Sequence, residues 1–378
     1  MISSSPGLLF TLASFAFVIG LLVFVHELGH YLAGRWFGVK ADVFSIGFGR
    51  EMVGWTDKRG TRWKVAWLPL GGYVRFAGDM NAASQPTPEW LALPAAERNK
   101  TFQCKPLWQR AIIVAAGPAI NFAFAIAIFI GFFGIYGQPM TPPVAGQVMP
   151  GSAAEMAGIK PNDRLVSVDG QQVKRFEDIA RIVQLRPGQA LPIVIQRGGE
   201  TLRMVATPTD EYQRDRFGNQ FHVGRLGIAQ TSLAWVPVPF YRLPDVATVE
   251  VFKTVGSMTD AIGQIITGRR SIKEMGGPLK IAQYSGQQAS QGAESLIMFI
   301  ALISINLGFI NLLPVPMLDG GHLLLYAAEA VIRRPIPPKV QEQAFRTGFA
   351  LLMGLMVFVT LLDLGSFGLW DQISSLIG

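Results

Sequence analysis

One cysteine, Cys104, occurs among the 378 residues, so the chain can build neither an internal disulfide nor a thiolate zinc site nor a cysteine redox pair. No histidine stands near Cys104 in sequence, and it reads as an ordinary loop residue. Charge is scarce as well. Only 16% of residues are Asp, Glu, Lys or Arg, half are hydrophobic, and mean hydropathy is +0.32. That balance excludes an ordinary soluble protein and fits bilayer spans joined to a soluble domain. No Lys or Arg precedes Arg35, and no small-residue cleavage site follows the first apolar run. The run therefore lacks the marks of a secretory signal and is expected to be a retained helix. The net charge of +7 suits contact with membrane lipid, whose headgroups include anions, and gives no reason to invoke nucleic acid.

Four runs reach the roughly 17–25 apolar residues that a helical span requires. They are Gly7–Val25, Ala111–Tyr136, Leu296–Leu313 and Gly348–Leu364. Gly117-Pro118 is expected to loosen the second helix locally. Twelve Lys and Arg fall between Arg35 and Arg110, and Arg333, Arg334, Lys339 and Arg346 lie between the third and fourth runs. The positive-inside rule puts both loops in the cytoplasm and both termini, with the long segment from about 137 to 295, outside.

Four histidines are present, and two of them stand in His26-Glu27-Leu28-Gly29-His30, which closes the first apolar run. On a helix, positions i and i+4 share a face, so His26 and His30 can grip one Zn²⁺, and Glu27 can reach a water at that metal as general base. The bland alternative is a pair of helix-end histidines with an incidental Glu. A catalytic zinc takes a third protein ligand. Asn311-Leu-Leu-Pro314-Val-Pro316-Met-Leu-Asp319-Gly320-Gly321-His322 follows the third run and offers two candidates, Asp319 and His322. The two prolines prevent a regular helix there and can turn a following carboxylate inward. Asp319 is favoured because a carboxylate completes a common His₂-acid set, and His322 stays open.

Between Val43 and Phe76 the pattern becomes strand-like. Trp63, Val65 and Trp67 alternate with Arg62, Lys64 and Ala66, Glu51–Trp55 is a plausible partner, and Asp57-Lys-Arg-Gly60 is the connecting turn. Glycines 47, 49, 71 and 72 mark bends. Such a hairpin can receive a substrate peptide by strand addition at Trp63, Val65 and Trp67, or it can simply plug the end of the bundle. Residues 79 to 100 read as a mobile connector.

The external segment contains a strand at Val144–Val148, a helix opening at Pro150–Ala154, a strand at Asp163–Val168, a helix at Phe176–Leu185 and a hairpin of Leu191–Ile195 with Leu202–Ala206. Their order resembles a bacterial PDZ domain. Gly224-Arg225-Leu226-Gly227-Ile228 resembles the carboxylate-binding loop of that family, displaced to the end of the unit. The resemblance implies a groove at Gly224, Leu226, Gly227 and Ile228 for a peptide C-terminus; the alternative is a steric cap that binds nothing tightly. His222 reads as an ordinary histidine. Residues from about Val246 to Gln288 look amphipathic and suited to the membrane surface.

Taken together, the HELGH and Asn-x-x-Pro-x-Pro-x-Leu-Asp-Gly motifs resemble the double signature of site-2 proteases, closest to the bacterial regulator-of-sigma-E proteases. The likeness extends over Gly117-Pro118 with Asn121, Gly277-Pro278 and Ser304-Ile-Asn306-Leu. It implies that Asp319 is the third zinc ligand, one Zn²⁺ per chain, and that Asn306 and Asn311 hold substrate backbone; otherwise these two bond between helices. It implies substrates that are single-pass membrane proteins, such as anti-sigma factors, and remnant signal peptides, cut in a bacterial cytoplasmic membrane. The better-known enterobacterial members carry two PDZ units, and this chain has room for one.

The expected fold is an α-helical membrane protein with four transmembrane helices, a membrane-associated β-hairpin or sheet, and one inserted periplasmic α+β PDZ domain. Its expected divisions are 1–36, the first span with HExxH; 37–106, the cytoplasmic loop with the hairpin; 107–137, the second span; 138–232, the PDZ domain; 233–294, the amphipathic segment; 295–320, the third span; 321–343, a cytoplasmic loop; and 344–378, the fourth span and C-terminus. Two other functions compete with a protease: a membrane-anchored PDZ scaffold, against which the intact Glu27 argues, and a metal transporter, for which one acidic ligand makes a poor path.

Overall fold

The computed structural model describes residues 6–78, 94–214, 220–230, 234–267 and 277–366. Most of the expected connector, residues 79–93, lies outside them, and a helical turn at Ala95–Arg98 ends it. The chain divides into two compact units, residues 1–131 with 244–378, and 132–243.

Among the described residues, four helices are long and apolar enough to cross a membrane: Leu8–Trp36, Leu107–Tyr136, Ala293–Asn311 and Lys339–Leu364. The chain is thus a multi-pass membrane protein. Helix α1 (Leu8–Trp36) has 29 residues, about 44 Å at 1.5 Å each, and so outruns the roughly 30 Å hydrocarbon core. That excess carries residues 26–30 towards one end of the span. Helix α2 (Leu107–Tyr136) stays continuous through Pro118, so the expected loosening does not break it. Val18 and Leu22 of α1 are fully buried against Ile300, with Phe124 and Ile128 of α2 packed beside them. Between lipid-facing helices such contacts act by close van der Waals fit.

The hairpin forms with its expected turn, but it is longer and doubles back. Strand β1 (Ala41–Thr56) and strand β2 (Arg62–Phe76) pair twice. Glu51–Thr56 lies against Arg62–Ala66, as the alternation predicts. Val43–Ile46 lies between Arg62–Val65 on one side and Gly72–Arg75 on the other. The result is four adjacent runs from two strands, bent at Gly47, Gly49 and Gly71, whose φ of 87°, 90° and 116° only glycine adopts freely. Phe44, Phe76 and Tyr31 bury one face of this sheet on α1.

The second unit contains β3 (Gln138–Met140), β4 (Ala145–Val148), α3 (Ala153–Met156), β5 (Arg164–Val168), β6 (Gln171–Gln172), α4 (Phe176–Gln184), β7 (Leu191–Arg197), β8 (Glu200–Ala206), β9 (Thr209–Arg214), β10 (Gln220–Arg225), β11 (Ile228–Gln230) and β12 (Ala234–Val236). A four-stranded sheet runs β6-β5-β7-β8, while β11 pairs with β4. Leu191, Ile193 and Ile195 alternate inward, and Ile179, Ile182 and Val183 form the apolar face of α4. At about 1.5–3 kcal/mol for each large aliphatic side chain, this core holds the unit together.

One buried carboxylate tunes that stability. Burial pushes the Asp163 carboxyl up, but hydrogen bonds from Arg197 and from the Lys160 N–H, with the Arg197 charge, outweigh it and hold the group below its ordinary value. A carboxyl depressed in the folded state adds stability above its unfolded pKa of about 3.9, and that stability disappears as pH falls through the lower folded value. Hydrogen exchange of the β5 and β7 amides is therefore expected to be flat from neutral pH to about 5 after correction for intrinsic rates. It should accelerate in stronger acid, whereas Arg197→Gln, which brings the folded carboxyl back towards its unfolded value, should exchange faster at neutral pH and show a smaller acid dependence.

After Asn311 the chain departs from expectation. Residues 321–343 are not a plain loop, since helix α8 (Asp319–Ile332) begins at the first residue after the proline-rich turn. Fourteen residues are too short for a span, which is why the run reads as a connector. The remaining elements are α5 (Leu243–Ile266), α6 (Pro278–Gln291), α7 (Ala293–Asn311) and α9 (Pro338–Ser366).

Candidate metal centre

His26 and His30 stand one turn apart on α1, and the first residue of α8, Asp319, reaches them from almost 300 residues away. His26 Nε2 lies 3.2 Å from Asp319 Oδ2, His30 Nε2 lies 3.5 Å from the same oxygen, and the two imidazole nitrogens are 3.3 Å apart. Among the described residues this is the one cluster of three or more His, Cys, Asp or Glu able to share a metal ion.

Each ligand has a local cause. The bare Cα of Gly117 leaves room for the His30 ring, which a Cβ there would overlap. Gly29 does the same for the helix pair, since a Cβ would collide with the Ala116 carbonyl. His30 Nδ1 sits 2.9 Å from the Ile113 carbonyl, which can only accept. The proton is therefore on Nδ1, and the Nε2 lone pair points into the cluster. Asp319 is delivered by a tight fold in the chain. Pro314 and Pro316 withhold two N–H groups, Met317 takes φ 84°, and Gly320 and Gly321 press against the carbonyls of Leu312, Leu313 and Val315. An acid at the start of α8 also meets the positive end of that helix.

The donor set fits a divalent ion. Ligands about 2.0–2.1 Å from a tetrahedral zinc stand about 3.3–3.4 Å from one another, and the observed edges of 3.2, 3.3 and 3.5 Å match that triangle. Two imidazole lone pairs and a carboxylate at this spacing repel unless a cation lies between them. His322, the other candidate ligand, packs instead on the rings of Phe345 and Tyr326, with centroids 4.6 and 6.4 Å away.

Glu27 turns towards the sheet, and its stem lies under the Gly72 main chain. Gly72 lies over the Glu27 stem, where a Cβ would come within 3.4 Å of Cγ and would meet the Ser45 carbonyl. The run that faces the centre is thus Gly72–Val74. This corrects one expectation. Trp63 and Val65 lie on a run whose main chain is flanked on both sides, so it has no free edge to offer. Trp63 is engaged through its indole N–H to Asp57 and by stacking on Phe44, whereas Val65 and Trp67 are exposed. Asn306 and Asn311 occupy α7, both partly buried.

In the second unit, Gly224, Leu226, Gly227 and Ile228 come together beside Ile179 and Val183 of α4, around a groove of about 360 Å³. His222 lies on β10 opposite Tyr212.

The residue that motif reading passed over as a participant is Asn121. Its amide lies 3.0 Å from His26 Nδ1, and it is fully buried. An amide inside the apolar run Ala111–Tyr136, one turn beyond Gly117, was the available signal.

The fold and this centre define a multi-pass membrane metallopeptidase. The model of peptidase family M50 matches residues 14–355, and the chain belongs to that family, the site-2 proteases that its paired motifs resemble. It is 46% identical over 371 residues to a protein of Agrobacterium fabrum named "Putative zinc metalloprotease", an alignment covering 96% of each chain. A Rhizobium meliloti protein of the same designation is 42% identical, covering 98% of each. Metalloprotease MmpA of Caulobacter vibrioides is 37% identical, with 98% of this chain and 99% of that protein aligned.

Proposed function

We propose that this chain is an intramembrane zinc metalloendopeptidase that carries out regulated proteolysis of single-pass membrane proteins, of the anti-sigma-factor type, and of remnant signal peptides. The observation that carries the reading is the closed triangle of His26, His30 and Asp319 at the end of an apolar helix, with Glu27 beside it. The names of the relatives support zinc as the ion. His26, His30 and Asp319 would hold one Zn²⁺, which would supply the charge that activates a water and stabilises negative charge on the scissile carbonyl oxygen. Glu27 takes a proton from the attacking water. As the C–N bond breaks it hands that proton to the leaving amine, so the water's oxygen stays on the new carboxyl.

A peptide bond in a regular helix is shielded by its own turns. The edge run Gly72–Val74, which pairs on one side with Ser45 and its neighbours and brings Gly72 over the Glu27 stem, suits a substrate drawn out as an added strand. Asn306 and Asn311 would hold its backbone. The second unit, read as a single PDZ domain outside a bacterial inner membrane, admits trimmed substrates and offers its groove to a peptide C-terminus. Both termini lie on that same side, and the basic loops lie in the cytoplasm.

The test is metal removal. Purified full-length protein in detergent should contain about one zinc per chain and cut a fluorescent single-span substrate. A strong chelator should abolish cutting, and one equivalent of zinc should restore it. Stoichiometric zinc with no cutting of any single-span substrate, alongside tight peptide binding by the groove, would replace this reading with the scaffold.

A further inference from the structure

Asn121 is gripped from two directions. Its amide meets His26 Nδ1 on α1, and its main-chain carbonyl accepts a 2.9 Å hydrogen bond from Ser304 Oγ on α7. Both residues are fully buried. With the amide nitrogen assigned to the His26 contact, Asn121 Oδ1 has no partner. Nitrogen and oxygen exchange places by a half-turn of the amide, so chemistry must decide which faces the ring.

The neighbouring ligand supplies the rule. His30 donates Nδ1–H to the Ile113 carbonyl and so keeps its Nε2 lone pair for the metal. His26 needs the same arrangement, since Nε2 is the atom it turns to His30 and Asp319. A proton on Nε2 would block that. We infer that Asn121 is a positioning residue that presents Oδ1, not its NH₂, to His26 Nδ1–H, and so fixes the tautomer with which His26 binds zinc. The inference rests on the metal reading of the site given above.

Charge explains why the acceptor is an amide. Two neutral imidazoles, Asp319, Glu27 and a divalent ion sum to zero. A third carboxylate would leave a net negative charge among membrane helices, where an ionised side chain is costly. The Ser304 contact holds the Asn121 main chain still, so that the amide is aimed before metal arrives.

The test compares zinc affinity by chelator competition for wild type, Asn121→Ala and Asn121→Asp. Cobalt(II) absorption serves as a geometric readout, and melting of the metal-free proteins as the folding control. Asn121→Ala is expected to lose about 10–100-fold in affinity and to alter the cobalt bands. Asn121→Asp, ionised beside the divalent ion, accepts but cannot donate; its added charge should lower the melting temperature of the metal-free protein, while zinc affinity falls no more than a few-fold below wild type. If the NH₂ group faced the ring, Asn121→Asp would set lone pair against lone pair and fall as far as Asn121→Ala, which would overturn the inference. Independently, ¹⁵N-histidine spectra of zinc-loaded wild type should show His26 protonated at Nδ1. A bare Nδ1 there would also overturn it, even if the variants failed to fold. Unchanged zinc affinity in Asn121→Ala sinks this role alone, whereas wild type that binds no zinc sinks the metal reading itself.

Discussion

Glu27→Gln is expected to keep zinc at the wild-type stoichiometry and to lower cleavage by about 10²–10⁴-fold, the usual contribution of a positioned general base. Glutamine has the shape of glutamate and keeps the stem that lies under Gly72, so the sheet should stay against α1. The three ligands are untouched, because Glu27 is not among the atoms that close the triangle. What is lost is an atom able to take a proton from water and pass it to the leaving amine. The measurement is single-turnover cleavage of a single-span substrate, with metal content determined on the same samples. Equal rates in wild type and variant would remove Glu27 from the chemistry and leave the zinc site intact. Loss of zinc along with activity would show instead that the variant had disturbed the ligands.

Much of this arrangement could be read from the chain because its signals are periodic or sterically forced. Apolar length marks the four spans, and the i, i+4 spacing of His26 and His30 needs only a helix to become a chelating pair. In the second unit, β5, α4, β7 and β8 fall within a few residues of their expected bounds, since each combines a clear alternation or amphipathic stripe with a Gly or Pro boundary. What the chain does not advertise are contacts made across long sequence distances. Nothing local to Val43–Ile46 says that it will be flanked on both sides, and that second pairing moved the sheet's inner edge from Trp63 to Gly72. The roles of Gly29 and Gly117 likewise exist only once α1 and α2 cross at a close approach. Helix α8 escaped notice because its leading acid follows two prolines, a pattern that reads as a turn until the turn is seen to start a helix.

Asp319→Ala and His322→Phe should separate the two residues that the sequence left as rival ligands. Zinc binding worth about 10–16 kcal/mol over four ligands corresponds to roughly 3 kcal/mol for each. Removing the Asp319 carboxylate should therefore weaken zinc on the order of 10²-fold, so that cleavage is lost where a metal buffer holds free zinc between the two dissociation constants. It also leaves two imidazole lone pairs, 3.3 Å apart, without the anion that shares their cation. His322→Phe keeps an aromatic ring against Phe345 and Tyr326 and withdraws nothing from the triangle, so zinc affinity should stay within a few-fold of wild type. Chelator competition measures both. If His322→Phe lost the metal while Asp319→Ala kept it, the fold of Pro314 to Gly321 would have to deliver the imidazole in place of the carboxylate. Both glycines pressed against the 312–315 carbonyls would then need another explanation. Asp319 at the first position of α8 is where such a turn can aim an acid at α1, and His322, one turn further on, faces the aromatic side instead.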